Sequence, residues 1–159
     1  PYTTLFRSLM VAPDGKIKTL EFNCRMGDPE TQPILMRLKS DLVKLAEHAV
    51  DGTLDKVEAD WDRRTALGVV MASANYPDTP RTGDVITGLP SGTDDMQVFH
   101  AGTAMKGDQV VTSGGRVLCV TALGETVKYA QNCAYQALDS IKFDGAQYRK
   151  DIGYRAVKG

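Results

Sequence analysis

Cysteine is scarce in this 159-residue chain: Cys24, Cys119 and Cys133, with no CxxC spacing. An odd, sparse set argues against a disulfide framework and against a zinc site. It fits reduced thiols in a cytoplasmic protein. Excess charge is missing too. Lys and Arg total 19 against 20 Asp and Glu, a net charge of −1. So even a balance gives no general pull toward nucleic acid or an anionic membrane, and neither is expected as a partner. No apolar run approaches membrane-spanning length; the longest, Leu67 to Ala74, suits a buried strand. Internal repeats and low-complexity tracts are absent as well. What is present is the composition of a folded soluble protein: 42% hydrophobic and 25% charged residues. The length allows one domain or two small ones.

Residues 1–8 read P-Y-T-T-L-F-R-S. All eight match one reading frame of a sequencing-adapter oligonucleotide. The alternative is a natural β-prone segment. The adapter reading is preferred, and such segments are left out of fold reasoning. On that expectation the native chain enters near Leu9, mid-domain, and lacks the N-terminal part of its own chain.

From Leu9 a short apolar strand runs to Ala12. Pro13-Asp14-Gly15-Lys16 is a turn, and Ile17 to Asn23 resumes the strand, which makes a hairpin. Gly27-Asp28-Pro29-Glu30 opens a helix, with Asp28 as its N-cap and Pro33 early in its course. Ser40 can cap a second helix whose apolar face is Leu42, Leu45, Ala46 and Ala49, stopped by Gly52. A subdomain boundary is placed near residue 60, with Trp61 as a packing anchor. Strands are expected at 67–74, 85–86, 97–102, 110–112 and 116–123. Gly124 to Ile141 reads as a helix with Val127, Ala130, Ala134, Leu138 and Ile141 on one face. Lys150 to Arg155 reads as a polar tail. The fold class expected is α+β: a hairpin with helices over residues 9–60, then a small β-rich domain with one long helix over 61–159.

Chemistry concentrates in E-F-N-C-R-M-G-D-P-E-T-Q, residues 21–32. Alternate side chains of a strand share a face, so Glu21, Asn23 and Arg25 are aligned, with Cys24 on the opposite face. A carboxylate and an amide oxygen at that spacing can share a hard ion such as Mg²⁺, which also takes substrate phosphates. A guanidinium one step further suits an anionic substrate or a transferring phosphate. As a bare spacing this also describes the solvent face of an edge strand.

The continuation decides between them. R-M-G-D-P-E-T-Q closely resembles the signature of the phosphoribosylamine–glycine ligase family, with Met26 where that family usually has Phe. The resemblance runs in order through L-M-V-A-P-D-G, P-I-L-M-R-L-K-S-D-L-V, L-G-V-V-M-A, R-T-G-D-V-I, V-F-H-A-G-T, V-V-T-S-G-G-R-V-L-C-V-T-A-L-G and R-K-D-I-G-Y-R-A. It implies the end of an ATP-grasp domain followed by the family's C-terminal domain. It implies a reaction of ATP, glycine and 5-phosphoribosylamine through a glycyl phosphate, in purine synthesis. By the same resemblance Glu21 and Asn23 are the Mg²⁺ or Mn²⁺ ligands. Arg25 is then the catalytic group that steadies the transferred phosphate or the substrate carboxylate. Asp28 and Glu30 are substrate-binding or helix-capping. Arg116, in S-G-G-R, is a further substrate contact, although a plain turn between strands also explains its glycines. His100, Lys150 and Arg155 are read as structural or solvated. A different ATP-grasp ligase or carboxylase shares Glu-x-Asn but not G-D-P-E-T-Q. Without upstream ATP-holding segments the isolated chain is expected to be inactive.

Overall fold

A computed structural model describes residues 6–23 and 25–158, the side chains of residues 6–8 and 21–23 excepted. Its core is built on one strand. V-L-C-V-T-A-L is apolar on both faces, and such a run is stable only when covered on both sides. The strand it forms, β7 (Arg116–Gly124), is buried from Val117 onward. It pairs antiparallel with β3 (Thr65–Ala72) on one side and with β4 (Met96–His100) on the other.

Along β3 burial alternates: Leu67, Val69 and Met71 are buried, while Gly68 and Val70 are half-buried. The buried set meets α3 (Val127–Leu138), whose Ala130, Ala134 and Leu138 pack into the core with Ile141 just beyond. Thr126 caps this helix, accepting the Tyr129 N–H at 3.2 Å. The other face receives α1 (Thr31–Arg37). A Cβ on Gly68 would lie 3.1 Å from Cys119 Sγ and 3.2 Å from Thr121 Oγ1, so the glycine makes room for the β7 side chains, and Pro33 Cδ of α1 lies 3.7 Å from the same spot. A two-stranded ribbon, β5 (Thr103–Lys106) and β6 (Gln109–Thr112), flanks the sheet. Across the far edge of β3, Ala72 and Gln147 exchange both backbone hydrogen bonds, at 2.7 and 2.9 Å. The Gln147 amide also donates to the Ser73 carbonyl at 3.0 Å.

Residues before Asp62 are assembled differently. Strands β1 (Phe6–Val11) and β2 (Ile17–Asn23) form the hairpin, turned at Gly15 with φ +79°. A bulge falls between Ser8 and Leu9. After α1, Asp41 caps α2 (Leu42–Val50), accepting from Val43 and Lys44 N–H at 2.8 and 3.3 Å. Gly52, at φ +67°, ends it. A single 3₁₀ turn, Leu54–Lys56, leads to the seam. There Asp62 donates its N–H to the Arg37 carbonyl (2.7 Å), and Arg37 Nε donates back to the Asp62 carbonyl (3.1 Å).

The described residues thus form a mixed α/β fold. Several local expectations are corrected. Ser40 does not cap α2; its hydroxyl accepts the Asp60 N–H at 2.7 Å, which leaves Asp41 to cap. Asp28 does not cap α1, which starts three residues later with Glu30 at the N-cap position and no side-chain capping bond. In place of a strand at 85–86, Val85 makes an isolated bridge to Val111. The long helix is shorter than its apolar face suggested, and β5 was not anticipated. The polar tail ends in a short helix, α4 (Tyr154–Lys158).

Candidate functional site

Strand β2 delivers the chain to the signature loop. Glu21 and Asn23 sit two positions apart on it, opposite Ser8 and Phe6 in register. Alternation places both positions on one face; their side chains, and Cys24 entirely, lie outside the described residues. Arg25 is exposed, and its Nη1 donates to the Met26 carbonyl at 3.1 Å.

Beyond Arg25 the loop folds back on itself. Thr31 donates both its N–H (3.0 Å) and its hydroxyl (2.6 Å) to the Gly27 carbonyl. Glu30 is exposed, and its carboxylate occupies the space where a side chain at Gly27 would begin. Gln32 presents a buried Oε1 with no hydrogen-bond partner among the described residues.

Asp28 is drawn away from the helix by a residue 88 positions further on. Arg116 Nη1 donates to the Asp28 carbonyl at 3.0 Å and lies 3.2 Å from its Oδ2. Arg116 Nε donates to the Tyr76 hydroxyl at 2.9 Å. The Tyr76 bond first, then Asp28, raises the Arg116 pKa, so its charge is permanent. Next to this pair opens a cavity of about 580 Å³ lined by Pro29, Val70, Tyr76, Arg116, Gln147 and Arg149, among others. Arg149 is itself held by Asp151 at 2.8 and 2.9 Å.

The structure therefore brings Asp28 and Arg116 together and sets Glu30 on the same loop. It gives Arg25 no hydrogen bond or ion pair with Asp28, Glu30 or Arg116. His100 bonds Thr103 Oγ1 at 3.0 Å at the end of β4, away from the loop. The S-G-G-R glycines are packing glycines. Gly114 abuts Gly102, and a Cβ on Gly115 would lie 2.5 Å from the Tyr76 ring. Burial raises the Cys119 thiol pKa, which keeps it protonated and unreactive. Trp61 is 42% exposed and lines a separate cavity beside Arg37 and Arg63, so it is not a buried anchor. Sequence reasoning missed Tyr76, whose only clue was its place in Y-P after a strand. Among the described residues no cluster of three or more His, Cys, Asp or Glu could hold a metal. The oxygen donors at 21 and 23 still suit a hard divalent ion that takes its remaining ligands from phosphates.

Residues 66–155 match the family model described as phosphoribosylglycinamide synthetase, C domain. The chain belongs to the phosphoribosylglycinamide synthetase family. It is 64% identical over 159 residues to a phosphoribosylamine–glycine ligase of Ralstonia nicotianae, covering 99% of this chain and 38% of that one. Against the ligase of Allochromatium vinosum it is 58% identical over 154 residues, covering 96% and 36%. The crystal structure of phosphoribosylamine–glycine ligase from Thermotoga maritima has the same fold, with a TM-score of 0.72 at 37% identity, covering 91% of this chain and 35% of that one. The synthetase relatives are thus much longer; the chain spans just over a third of their length. None of the described helices is long and apolar enough to cross a membrane.

Proposed function

We propose that this chain supplies the C-terminal part of an ATP-dependent ligase that joins glycine to 5-phosphoribosylamine. One observation carries the reading: Arg116, inside the matched family domain, clasps Asp28 of the signature loop, directly after the strand bearing Glu21 and Asn23. Residues 9–60 would be the end of an ATP-grasp domain, and residues 1–8 an adapter remnant.

In this reading the glycine carboxylate takes the γ-phosphoryl group of ATP, giving glycyl phosphate and ADP. The ribosylamine nitrogen then attacks the acyl carbon, the amide forms, phosphate leaves and the nitrogen loses a proton. Glu21 and Asn23 would hold Mg²⁺ or Mn²⁺, which neutralises phosphate oxygens when bound. Arg25, which is exposed, would reach the transferring phosphoryl or the carboxylate as a bidentate fork. Asp28 and Glu30 accept hydrogen bonds from an ammonium or ribose hydroxyls, and Arg116 lies beside Asp28 to meet the anionic end of a substrate. The isolated chain carries only part of this machinery and is proposed to be inactive.

Glu21→Ala in the intact ligase tests the reading. Turnover falls at least about a hundredfold and its Mg²⁺ dependence weakens. Near-normal glycine-dependent ADP release with the usual Mg²⁺ response rejects the assignment.

A further inference from the structure

We infer that Tyr76, seated on Gly115, is a positioning residue of the ligase site: it fixes Arg116 so that the Asp28 loop is held against the C-terminal domain. The inference rests on the proposed reading of that loop as substrate-facing.

Arg116 alone is a weak tether. Its side chain is 42% exposed and that of Asp28 is 59% exposed. An ion pair so exposed contributes little, no more than the rotamer freedom that a long Arg side chain loses in making it. A second anchor changes this. The guanidinium is one rigid plane, and here two of its edges are fixed at once: Nε on the Tyr76 hydroxyl and Nη1 on Asp28. With Nε already held, the arm that reaches Asp28 has little freedom left to lose.

Tyr76 is in turn held by the backbone beside Arg116. Its segment starts at Ser73, which is fully buried. Ser73 donates its N–H to the Gly115 carbonyl (2.9 Å) and its hydroxyl to the Gly114 carbonyl (3.0 Å). The Tyr76 ring then occupies the space a side chain at Gly115 would fill, with Pro80 on the same spot. Gly115 is adjacent in sequence to Arg116. The S-G-G-R motif thus shapes a seat for the tyrosine that steers its arginine. Pro29, Tyr76 and Arg116 wall the same cavity, so a shift of this clasp moves the wall that faces a ligand there.

Tyr76→Phe in the intact ligase keeps the ring and removes only the oxygen. Losing one hydrogen bond to a charged group should lower kcat/KM about fivefold. That drop should vanish in an Arg116→Met background, because the tyrosine acts through the arginine. Hydrogen exchange at the Thr31 amide, which closes the loop onto Gly27, should speed up in Tyr76→Phe. A wild-type kcat/KM, or a fivefold drop that persists undiminished in Arg116→Met, overturns the inference. If the unsubstituted intact ligase shows no glycine-dependent ADP release, the proposed function fails instead. The exchange rate of Thr31 then still decides whether Tyr76 holds the loop.

Discussion

Valine appears at both extremes of this molecule. Val69, Val117 and Val120 are wholly buried, whereas Val11 is 62% and Val50 88% exposed. The first group lies after Asp62 and the second before it. Among the described residues every buried one is at Asp62 or later, and the hairpin, α1 and α2 contribute none. Both regions carry sound local structure: a tight hairpin and a capped helix in front, a sheet and a capped helix behind. Local sequence rules therefore operate equally in the two. Only the rear region converts its pattern into burial, which is where most folding free energy originates.

The largest test of this contrast is a pair of truncations. Leu138→Ala, in the core under the sheet, should cost about 2–5 kcal/mol in urea unfolding of the chain. Val50→Ala should stay within about 0.5 kcal/mol. Comparable losses would show that the front shares the rear core. Capping gives a finer comparison, since Asp41 and Thr126 perform the same task in different regions. Thr126→Ala should remove about 1 kcal/mol from global unfolding. Asp41→Ala should leave that transition in place and raise hydrogen exchange only at Val43 and Lys44. An equal loss from both would join the regions into one cooperative unit.

The smallest effect concerns the seam. Hydrogen bonds from the Arg64 side chain, then its backbone N–H, hold Asp62 well below its ordinary value of 3.8. A depressed folded-state carboxylate stabilises fully above its unfolded value, and the contribution fades as pH falls below it. Thermal unfolding should thus steepen below about pH 4, and Asp62→Asn should flatten that acid limb. An unchanged acid limb would remove Asp62 from the seam's energetics.

The sequence reveals elements where periodicity and chemistry agree. Ala130, Ala134 and Leu138 announced α3, and the largely apolar run at 117–123 announced the strand β7. Pro13 to Lys16 announced the hairpin. It failed where a distant partner won a side chain. Asp28 and Ser40 both look like helix caps, but Arg116 takes the first and the Asp60 N–H takes the second. Neither competitor is close in sequence, so no local rule could see it. The site follows the same division. Glu21, Asn23, Arg25 and Glu30 were singled out as candidates because one short motif holds them. Tyr76 was not, because its role depends on a glycine 39 positions away, 115 − 76.

The Gln147 clasp on β3 has a consequence in time. Its amide reaches the Ser73 carbonyl across 74 positions of chain. Closing a loop of that size costs about 4 kcal/mol of chain entropy before any contact is made. During synthesis the clasp cannot close until residue 147 has left the ribosome. Over that interval the end of β3 at Ala72 lacks its Gln147 partner and stands open to any other strand that arrives first.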